Sequence, residues 1–447
     1  MRILFTPAGD TDPVRGYRDG AILHILRHYD VDKVIIFLTK EMEKKEENTG
    51  CYTKGVHLVS PDTSISFIKS GITNPNDYES LTAIQENFAR MYAENSGGEW
   101  LINVSSGTPQ IKTVMTILAL DYPEAKVIQV LSPAKKSNRE NPPCRTSEDL
   151  VVMLECNEDN EQEAPNRCIE PPLLLLKKHG VSMQIESLVR NYEYAGAYEL
   201  MRLNSSLFSG DTKKLLQHAM YRRDLLWRRA NKIISKYNGN PLIVRPDDFS
   251  EYFQVMELRE RKKQYPEFIV KLSPVLMELG IKYMEKLTCF HLEDCCEKRR
   301  DVKYNVKRYL LNRHYPKLLT YLETQLGNTF RDGPLYFSTI VRFCEYLQNT
   351  DLKGDRKHER ITCIFSDLRV VEERTRNLVA HEITNLDDQL IQEATAENRS
   401  RSLGIPGGLR AKDIISLLHE AVRLIMGRDI PWSYDNLNDK IIESLYR

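Results

Sequence analysis

One short segment of this sequence places an arginine, an asparagine and a histidine close together: Arg376-Asn377-Leu378-Val379-Ala380-His381. On a helix at about 100° per residue, these three side chains share an arc of roughly 140°. Histidine can accept or give a proton near neutral pH, and arginine can hold a phosphate and stabilise charge growing on its oxygens. Asparagine can orient a neighbour or a ribose hydroxyl. The segment therefore suits cleavage of a phosphodiester by the 2′-hydroxyl of RNA.

When no other signal is present, an arginine and a histidine at this spacing more often belong to a solvated helix face on which the histidine has no function. The spacing also leaves a second arginine open, because Arg374 falls near ~160° on the same wheel, beside His381. We favour Arg376 because Asn377 follows it. A helix that presents these groups needs a core on its other side, and the residues between about 200° and 300° are suited to one: Ile364, Leu368, Val371, Thr375, Leu378 and Val379.

Two loops near the N-terminus have the composition of a ligand site, Thr6–Pro13 and Asn103–Gln110. In the second, Thr108 can cap a helix, Pro109 suits its first turn, and Gly107 allows close approach to the backbone. The free N–H groups of such a helix start favour a phosphate. Neither loop is a Walker A sequence or a G-x-G-x-x-G fingerprint. Ordinary strand-to-helix turns are the alternative explanation.

The elements that must position these loops alternate between strand and helix. The predicted strands are Arg2–Phe5, Lys33–Thr39, Val56–Ser60, Trp100–Val104 and Lys126–Leu131. The predicted helices between them are Gly20–Tyr29, Leu81–Glu94 and Gln110–Leu120. This alternation predicts a doubly wound α/β domain, whose ligands bind at the carboxyl ends of the strands. Residues 156–172 are polar and acidic, as in a linker or an exposed connection, and the remaining chain is typical of an all-α region.

The overall composition describes a globular protein of more than one domain. The chain has 447 residues and no formal net charge. Residues 1–165 contain 17 basic and 25 acidic residues, a net charge of −8, and the remaining residues have a net charge of +8. Opposite signs favour two modules with different partners, of which the basic one suits a polyanion. No apolar run has the roughly 20 residues of a membrane span. The 9 scattered cysteines and the absence of a secretory signal predict free thiols in the cytoplasm.

Three stretches in order along the chain resemble one family, the CRISPR type III-A accessory ribonucleases with CARF and HEPN domains. The HEPN signature, R-x4–6-H with Asn often after the Arg, matches Arg376 to His381. The turn that opens a CARF domain matches Gly9-Asp10-Thr11-Asp12-Pro13, and a later S-S-G-T-P-Q turn matches Ser105 to Gln110. The resemblance implies a Rossmann-like CARF domain at 1–165, followed by an all-α region at 166–447 that contains the HEPN ribonuclease domain.

The same resemblance implies a function in antiviral defence. Such proteins are homodimers that cut single-stranded RNA without a metal or other catalytic cofactor and leave 2′,3′-cyclic phosphate ends. A cyclic oligoadenylate made by the type III interference complex binds the CARF dimer and activates the HEPN site allosterically. In the type III-A branch this ring has six adenylates rather than four, and some relatives also degrade it, a role for which Thr108 is the first candidate here.

The residues that this resemblance assigns fall into two sets. Arg376 and His381 would be catalytic, with Asn377 in support. The activator would be bound by Gly9, Asp10, Thr11, Ser105, Ser106, Gly107 and Thr108. No metal site is predicted, since Cys289, His291, Cys295 and Cys296 lack the paired C-x2-C spacing of common zinc sites.

A single Arg–His pair supplies only one titrating group, whereas cleavage profits from both a base and an acid. A two-fold axis beside this helix would bring two pairs together, so a homodimer is expected on chemical grounds as well. Two other functions remain open from the residues: a nucleotide-sensing regulator that cuts nothing, and a toxin-like ribonuclease that needs no activator.

Overall fold

The computed structural model describes residues 1–133, 146–235, 247–288, 290–298, 304–381, 386–396, 402 and 407–447, without the side chains of 377–381. The chain forms two compact units, Met1–Lys178 and His179–Arg447. The predicted domain limit at residue 165 precedes this division. None of the helices in the described ranges is both long and apolar enough to cross a membrane.

The N-terminal unit is built on a mainly parallel sheet. Its strands are β1 (Arg2–Pro7), β2 (Lys33–Leu38), β3 (Ser64–Lys69), β4 (Glu99–Asn103), β5 (Lys126–Val130) and β6 (Cys168–Ile169). They lie in the order β3-β2-β1-β4-β5-β6, and only β6 is antiparallel to its neighbour. The helices are α1 (Ala21–His28), α2 (Lys40–Thr49), α3 (Cys51–Val59), α4 (Thr82–Glu94), α5 (Pro109–Asp121) and α6 (Ser147–Glu155).

Apolar residues on both faces of the central strands explain why helices cover this sheet on both sides. Leu4, Val34 and Leu101 pack with residues of α1, α3 and α6, whereas Phe5 and Ile102 pack with residues of α4 and α5. Successive strand residues point to opposite faces, so each strand contributes to both cores. The predicted doubly wound α/β architecture is confirmed.

One predicted strand is wrong. Residues Val56–Ser60 lie at the end of helix α3, and the third strand is instead Ser64–Lys69. Cys51, Tyr52 and Val56 are fully buried at helical spacing, which anchors α3. Strand β3 lies at the edge of the sheet, so its residues are only half-buried and its sequence lacks the apolar run of a central strand.

The acidic stretch 156–172 is mostly exposed, as its composition indicated, but three of its residues, Asn157, Asp159 and Arg167, are buried. Asp159 is buried, and its carboxylate accepts the backbone N–H of Asp19 at 2.7 Å and Nη2 of Arg167 at 2.8 Å. Strand β6 then pairs with β5. These contacts attach the segment to the N-terminal unit, because buried charges must be paired and hydrogen-bonded.

The chain enters the second unit within α7, and that unit is helical as predicted, apart from a small antiparallel sheet. Its helices are α7 (Leu174–Arg190), α8 (Tyr194–Leu203), α9 (Gly210–Arg223), α10 (Trp227–Ile234), α11 (Asp248–Arg261), α12 (Tyr265–Leu287), α13 (Arg308–His314), α14 (Pro316–Leu326), α15 (Phe337–Asn349), α16 (Arg356–His381), α17 (Asp388–Thr395), α18 (Ala411–Met426) and α19 (Tyr434–Leu445). The small sheet contains β7 (Cys296–Glu297), β8 (Asn305–Val306) and β9 (Gly333–Pro334).

Two cores organise the helical unit. The larger includes buried residues of α12, α15, α16 and α18, and the smaller joins α8, α9 and α19. Helix α11 contributes to both, with Phe253 in the larger core and Val255 in the smaller one. Helix α16, which carries the predicted catalytic residues, is therefore packed against several neighbouring helices. This packing fixes the position of the side chains that the helix exposes.

Candidate functional site

The two predicted ligand loops meet at the point where the strand order reverses. Strands β1 and β4 are neighbours in the middle of the sheet, but the helix after β1 packs on one face and the helix after β4 packs on the other. The helices that follow the two loops therefore lie on opposite faces of the sheet and leave a crevice at the carboxyl ends of β1 and β4, which is where open α/β sheets bind ligands.

The backbones of the two loops approach each other at a pair of glycines. A Cβ added to Gly9 would lie 2.5 Å from the backbone nitrogen of Gly107. Gly107 itself has a φ of +86°, a conformation that other residues rarely adopt. Both positions therefore require glycine, and the close contact brings the remaining loop residues into one site.

Helix α5 begins at this contact, as the sequence predicts. The hydroxyl of Thr108 accepts a hydrogen bond from the backbone N–H of Ile111 at 3.3 Å, and Pro109 occupies the first turn. The same hydroxyl donates to the carbonyl oxygen of Pro75 at 2.9 Å. Thr108 thus fixes the start of the helix, whose N–H groups and positive end favour an anion.

The first loop is organised by a buried carboxylate that sequence reasoning did not assign to the site. Asp12 is fully buried, and it accepts the backbone N–H groups of Gly9 at 3.0 Å and Ile22 at 3.1 Å. Burial raises the pKa of Asp12, although these hydrogen bonds oppose the rise. Asp12 therefore holds the loop in shape from inside.

The crevice forms a cavity of about 380 Å³ whose lining includes Asp10, Thr11, Ser105 and Gly107. An adjoining cavity of about 110 Å³ is lined in part by Gly9, Asp10, Gly107 and Thr108. The exposed carboxylate of Asp10 forms an ion pair with Arg15. The seventh predicted residue, Ser106, is turned inward, and its hydroxyl accepts a hydrogen bond from Asn103 at 2.9 Å.

Two cations that sequence reasoning missed, Lys112 and Arg167, line the larger cavity. Nη1 of Arg167 donates to the carbonyl oxygen of Leu131 at 2.9 Å, and Nη2 binds Asp159. Its buried Nε has no partner among the described residues. Lys112 follows Thr108 by one helical turn, a position that the sequence could have revealed, whereas Arg167 lies in the stretch interpreted as a linker. Arg167 is already paired with Asp159, so its charge is largely offset, whereas Lys112 adds a cation next to the start of α5.

Three buried residues next to this cavity, Asp19, His24 and Asp159, have the composition of a metal site, and Asp19 also lines the cavity. Their charges are already matched by guanidinium groups, since Nε of Arg27 lies 2.6 Å from Asp19 and Arg167 binds Asp159. Burial by itself would raise the pKa of Asp19, but hydrogen bonds from His24 and Arg27 lower this pKa below its usual value. The cluster is best described as an ion-pair network.

The other predicted site lies on α16, and its buried side agrees with the helical wheel. Ile364, Leu368, Val371 and Thr375 are all fully buried. Arg376 is exposed on the remaining surface of the helix, as is Arg374. Asn377 and His381 belong to the same helix, but their side chains lie outside the described part of the structure, as do those of Leu378 and Val379.

Arg376 lines a cavity of about 540 Å³ between α12, α16 and the segment that precedes α15. No described residue forms a hydrogen bond or ion pair that engages its guanidinium. Of the cysteine group, Cys295 and Cys296 are buried with their sulfur atoms 3.5 Å apart, and Cys289 lies outside the described residues. The hydrogen bond with Cys296 and burial raise the pKa of Cys295, as expected of an inert thiol.

Three models of one protein family match the chain in succession. They describe the Csm6 CARF domain at residues 64–168, the 6H domain of the CRISPR-associated protein Csm6 at 171–223, and the Csm6 HEPN domain at 244–442. Together they cover most of the sequence.

Individual relatives agree with the family models. The CRISPR system endoribonuclease Csm6 of Mycobacterium tuberculosis H37Rv is 25% identical over 453 residues, covering 99% of this chain and 98% of the relative. The Enterococcus italicus endoribonuclease Csm6 is 28% identical over 298 residues, with 64% and 67% covered. The Csm6′ endoribonuclease of Streptococcus thermophilus is 24% identical over 400 residues, with 88% and 90% covered.

A solved structure shares the fold. It is described as Enterococcus italicus Csm6 bound to cyclic hexa-2′-fluoro-hexa-dAMP, and it matches with a TM-score of 0.65 at 21% identity. The match covers 99% of this chain and 100% of that chain.

Proposed function

Because the chain belongs to the CRISPR-associated Csm6 family, with its CARF, 6H and HEPN domains, we propose that it is an endoribonuclease activated by a cyclic oligoadenylate. Residues 1–165 supply the domain that binds the activator. Residues 166–447 contain the HEPN domain that cuts single-stranded RNA in the cytoplasm, without a metal, leaving 2′,3′-cyclic phosphate ends.

The single observation that carries the proposal is the position of Arg376. It lies exposed in a cavity on a helix whose other side is fully buried, within the range matched by the HEPN model. A guanidinium presented in this way can bind the phosphate of a passing RNA strand and stabilise charge that grows on its oxygens.

In the proposed reaction the 2′-oxygen of one ribose attacks the adjacent phosphorus. The new P–O2′ bond forms as the bond to the 5′-oxygen of the next nucleotide breaks. The 2′-hydroxyl proton passes to a base, and the leaving oxygen takes a proton from an acid. His381 transfers protons, and Arg376 stabilises the negative charge on the oxygens of the phosphorane-like transition state. Asn377 orients its neighbours. A homodimer supplies the second His381 so that acid and base are both present.

The activator site is supported by the crevice between the two N-terminal loops. A ring of adenylates carries one negative charge per phosphodiester, and the start of α5 together with Lys112 can offset part of that charge, while Arg167 offers N–H donors at the cavity. The solved Csm6 with a cyclic hexa-dAMP analogue supports a ring of six units here. The predicted residues Gly9, Asp10, Thr11, Ser105, Gly107 and Thr108 line this region, and Ser106 supports it from below.

The same site is proposed to degrade its activator. Since the hydroxyl of Thr108 already donates to Pro75 and accepts from Ile111, Thr108 acts there as a positioning residue that fixes the helix start. Incubation of the protein with labelled cyclic hexaadenylate and no RNA measures ring loss directly. An intact ring after many hours removes this second activity and leaves the first unaffected.

The main experiment incubates the full chain with labelled single-stranded RNA, with and without cyclic oligoadenylates of four and six units. We expect cleavage with the six-membered ring, persistence of cleavage in EDTA, and cyclic phosphate ends in the products. His381→Ala is expected to abolish cleavage and retain activator binding. Equal cleavage without any ring identifies a toxin-like ribonuclease. Activator binding without cleavage under any condition identifies a non-catalytic regulator.

A further inference from the structure

The cavity that contains Arg376 has an apolar wall that the proposed cleavage chemistry does not use. Helix α12 contributes Val270, Ser273, Pro274 and Met277, and the segment around the start of α15 contributes Leu335, Tyr336 and Phe337. A volume of about 540 Å³ is in the range of sites that enclose a small organic group. The wall therefore needs an occupant whose surface is flat and largely apolar.

Tyr336 is the exposed aromatic residue that lines this cavity. Its backbone carbonyl is held by the N–H groups of Thr339 at 3.0 Å and Ile340 at 3.2 Å, yet the residue is 60% exposed. Its hydroxyl has no hydrogen-bond partner among the described residues. A fixed backbone with an exposed ring is the arrangement that proteins use to stack a nucleobase, and stacking tolerates every base because each has a π-face.

The polar edge of the cavity contains an acceptor, Glu372, beside the donor Arg376. Glu372 precedes Arg376 by one turn of α16, so the two side chains lie on the same face of the helix. The Glu372 side chain is 12% exposed, and its carboxylate lies 3.7 Å from Nη1 of Arg369. An ionised carboxylate only accepts hydrogen bonds, as it does from the amino group of cytosine in nucleic-acid complexes.

Helix α12 adds a backbone acceptor to the same cavity. Pro274 lies inside that helix and has no N–H group, so the carbonyl oxygen of Val270 loses its partner one turn later. Both residues line the cavity, and Val270 is 60% exposed. The missing N–H of Pro274 thus leaves a second possible acceptor in the helix that lines the cavity.

We propose that this cavity is a nucleobase subsite of the RNA substrate, selective for a base with an exocyclic amino group over uracil. The base stacks on Tyr336, its amino group donates to Glu372, and the adjoining phosphate meets Arg376. This inference rests on the proposed ribonuclease function and deepens it by naming what the site recognises. Uracil presents a carbonyl oxygen where cytosine and adenine present an amino group, so the carboxylate repels it.

The test compares the activated full chain and its variants on RNAs that differ in one base beside the cleaved bond. Tyr336→Ala is expected to lower kcat/KM about tenfold or more for every base, in line with loss of one stacked base. Tyr336→Phe keeps the ring and is expected to recover most of that loss. Tyr446→Ala removes another exposed tyrosine of the helical unit, outside the cavity, and serves as the matched control.

The second variant tests recognition separately from stacking. Glu372→Gln introduces an amide that can donate to the carbonyl oxygen of uracil, so the preference for cytosine or adenine over uridine is expected to shrink by several-fold. Unchanged base preference in this variant overturns the assignment of Glu372. Unchanged kcat/KM in Tyr336→Ala overturns the subsite as a whole.

Two further outcomes are separated by additional measurements. If Tyr336→Ala changes the molecular mass in solution by light scattering, the wall is an interface with a second copy of the chain, and the subsite is rejected. If the wild-type chain cuts no RNA, the proposed function fails. Binding of fluorescent 2′-deoxy oligonucleotides then still tests the subsite. Tyr336→Ala must weaken this binding, and equal affinities of the variant and the wild-type chain reject the subsite.

Discussion

Arg374 and Arg376 show how far a single residue can be assigned from spacing and how the surrounding structure refines it. Both are exposed on α16, and both satisfy the spacing to His381. Only Arg376 lines the cavity between α12 and α16. A phosphate held in that cavity would be within reach of Arg376, and for this reason we propose Arg376 rather than Arg374 as the catalytic arginine.

We expect Arg376→Ala to lower kcat for RNA cleavage by about 100-fold or more, as loss of one group that stabilises transition-state charge does. Arg374→Ala is the matched control on the same helix and should retain most activity. The measurement is single-turnover cleavage with saturating activator, and activator affinity confirms an intact N-terminal unit. A greater loss in the Arg374 variant would reverse the assignment.

Thr108 connects local helix chemistry with activator binding. We expect Thr108→Ala to destabilise the N-terminal unit by about 1 kcal/mol, because an N-cap hydroxyl is lost. It should also weaken binding of cyclic hexaadenylate, measured by calorimetry, because the start of α5 loosens. Thr113→Ala, on the exposed side of the same helix, is the control. Similar affinities for the two variants would show that the cap does not serve the ligand.

At the scale of elements, helices α9, α11 and α19 are joined by buried polar contacts as well as by apolar packing. Arg222 is 1% exposed, and its Nε and Nη2 each lie 3.0 Å from a carboxylate oxygen of Glu251. The hydroxyl of Tyr434 donates to the same carboxylate at 2.9 Å. Such a network is specific in geometry, but it is costly to disrupt from one side.

We expect Arg222→Ala to lower the free energy of unfolding by about 3–5 kcal/mol, because it leaves the buried Glu251 charge unpaired. The double variant Arg222→Met, Glu251→Gln removes both charges and should recover much of this loss. Urea denaturation followed by circular dichroism measures both. A double variant no more stable than the single one would contradict this explanation.

Helix α9 also makes the helical unit sensitive to acid through His218. Burial lowers the pKa of His218 to about 4, while its Nδ1 is hydrogen-bonded to the carbonyl oxygen of Ala230 at 2.9 Å and Arg222 lies nearby. Between about pH 4 and pH 6.5, His218 is therefore protonated in the unfolded chain but not in the folded chain. The contribution of neutral His218 to the stability of the fold is fully present above pH 6.5 and is lost as the pH falls through that window.

The expected loss is roughly 3 kcal/mol across the window, from about 1.4 kcal/mol for each unit of pKa shift. Thermal unfolding of the full chain between pH 4 and pH 7 measures it. His218→Asn keeps a donor for the Ala230 carbonyl and does not titrate, so its melting temperature should fall less steeply with acid. Parallel curves for the two proteins would locate the acid sensitivity elsewhere.

At the scale of the whole molecule, the two units differ in the partners proposed for them. The sequence divides into an acidic N-terminal part and a basic C-terminal part, and the structure forms two compact units with separate cores. The proposed activator site belongs to the first unit and the proposed nuclease site to the second. Communication between them requires a change that both sites favour in the same direction.

The proposed homodimer predicts a particular response to mixing. If each cleavage event needs His381 from both chains, an equal mixture of wild-type and His381→Ala chains should retain about a quarter of wild-type activity after exchange of subunits. Independent sites should retain about half. The comparison uses a fixed total protein concentration and saturating activator, and activity in proportion to the wild-type share would argue against a composite site.

The sequence alone determined the features that depend on near neighbours in the chain. The cap at Thr108, the buried stripe of α16 and the double-sided strands all follow from side-chain periodicity over a few residues, and the structure agrees with each. The same reasoning assigned the two loops to one sheet edge, because parallel strands end on the same side.

The tertiary structure decided what depends on residues far apart in sequence. Arg167 reaches the cavity of the N-terminal loops only because Asp159 and strand β6 bind it to the sheet, and Ser106 turns inward because Asn103 holds it. Strand β3 was missed because an edge strand needs no apolar run. Local patterns encode which face of an element is buried, but which distant elements cover that face is set by long-range packing, and no short window of sequence contains it.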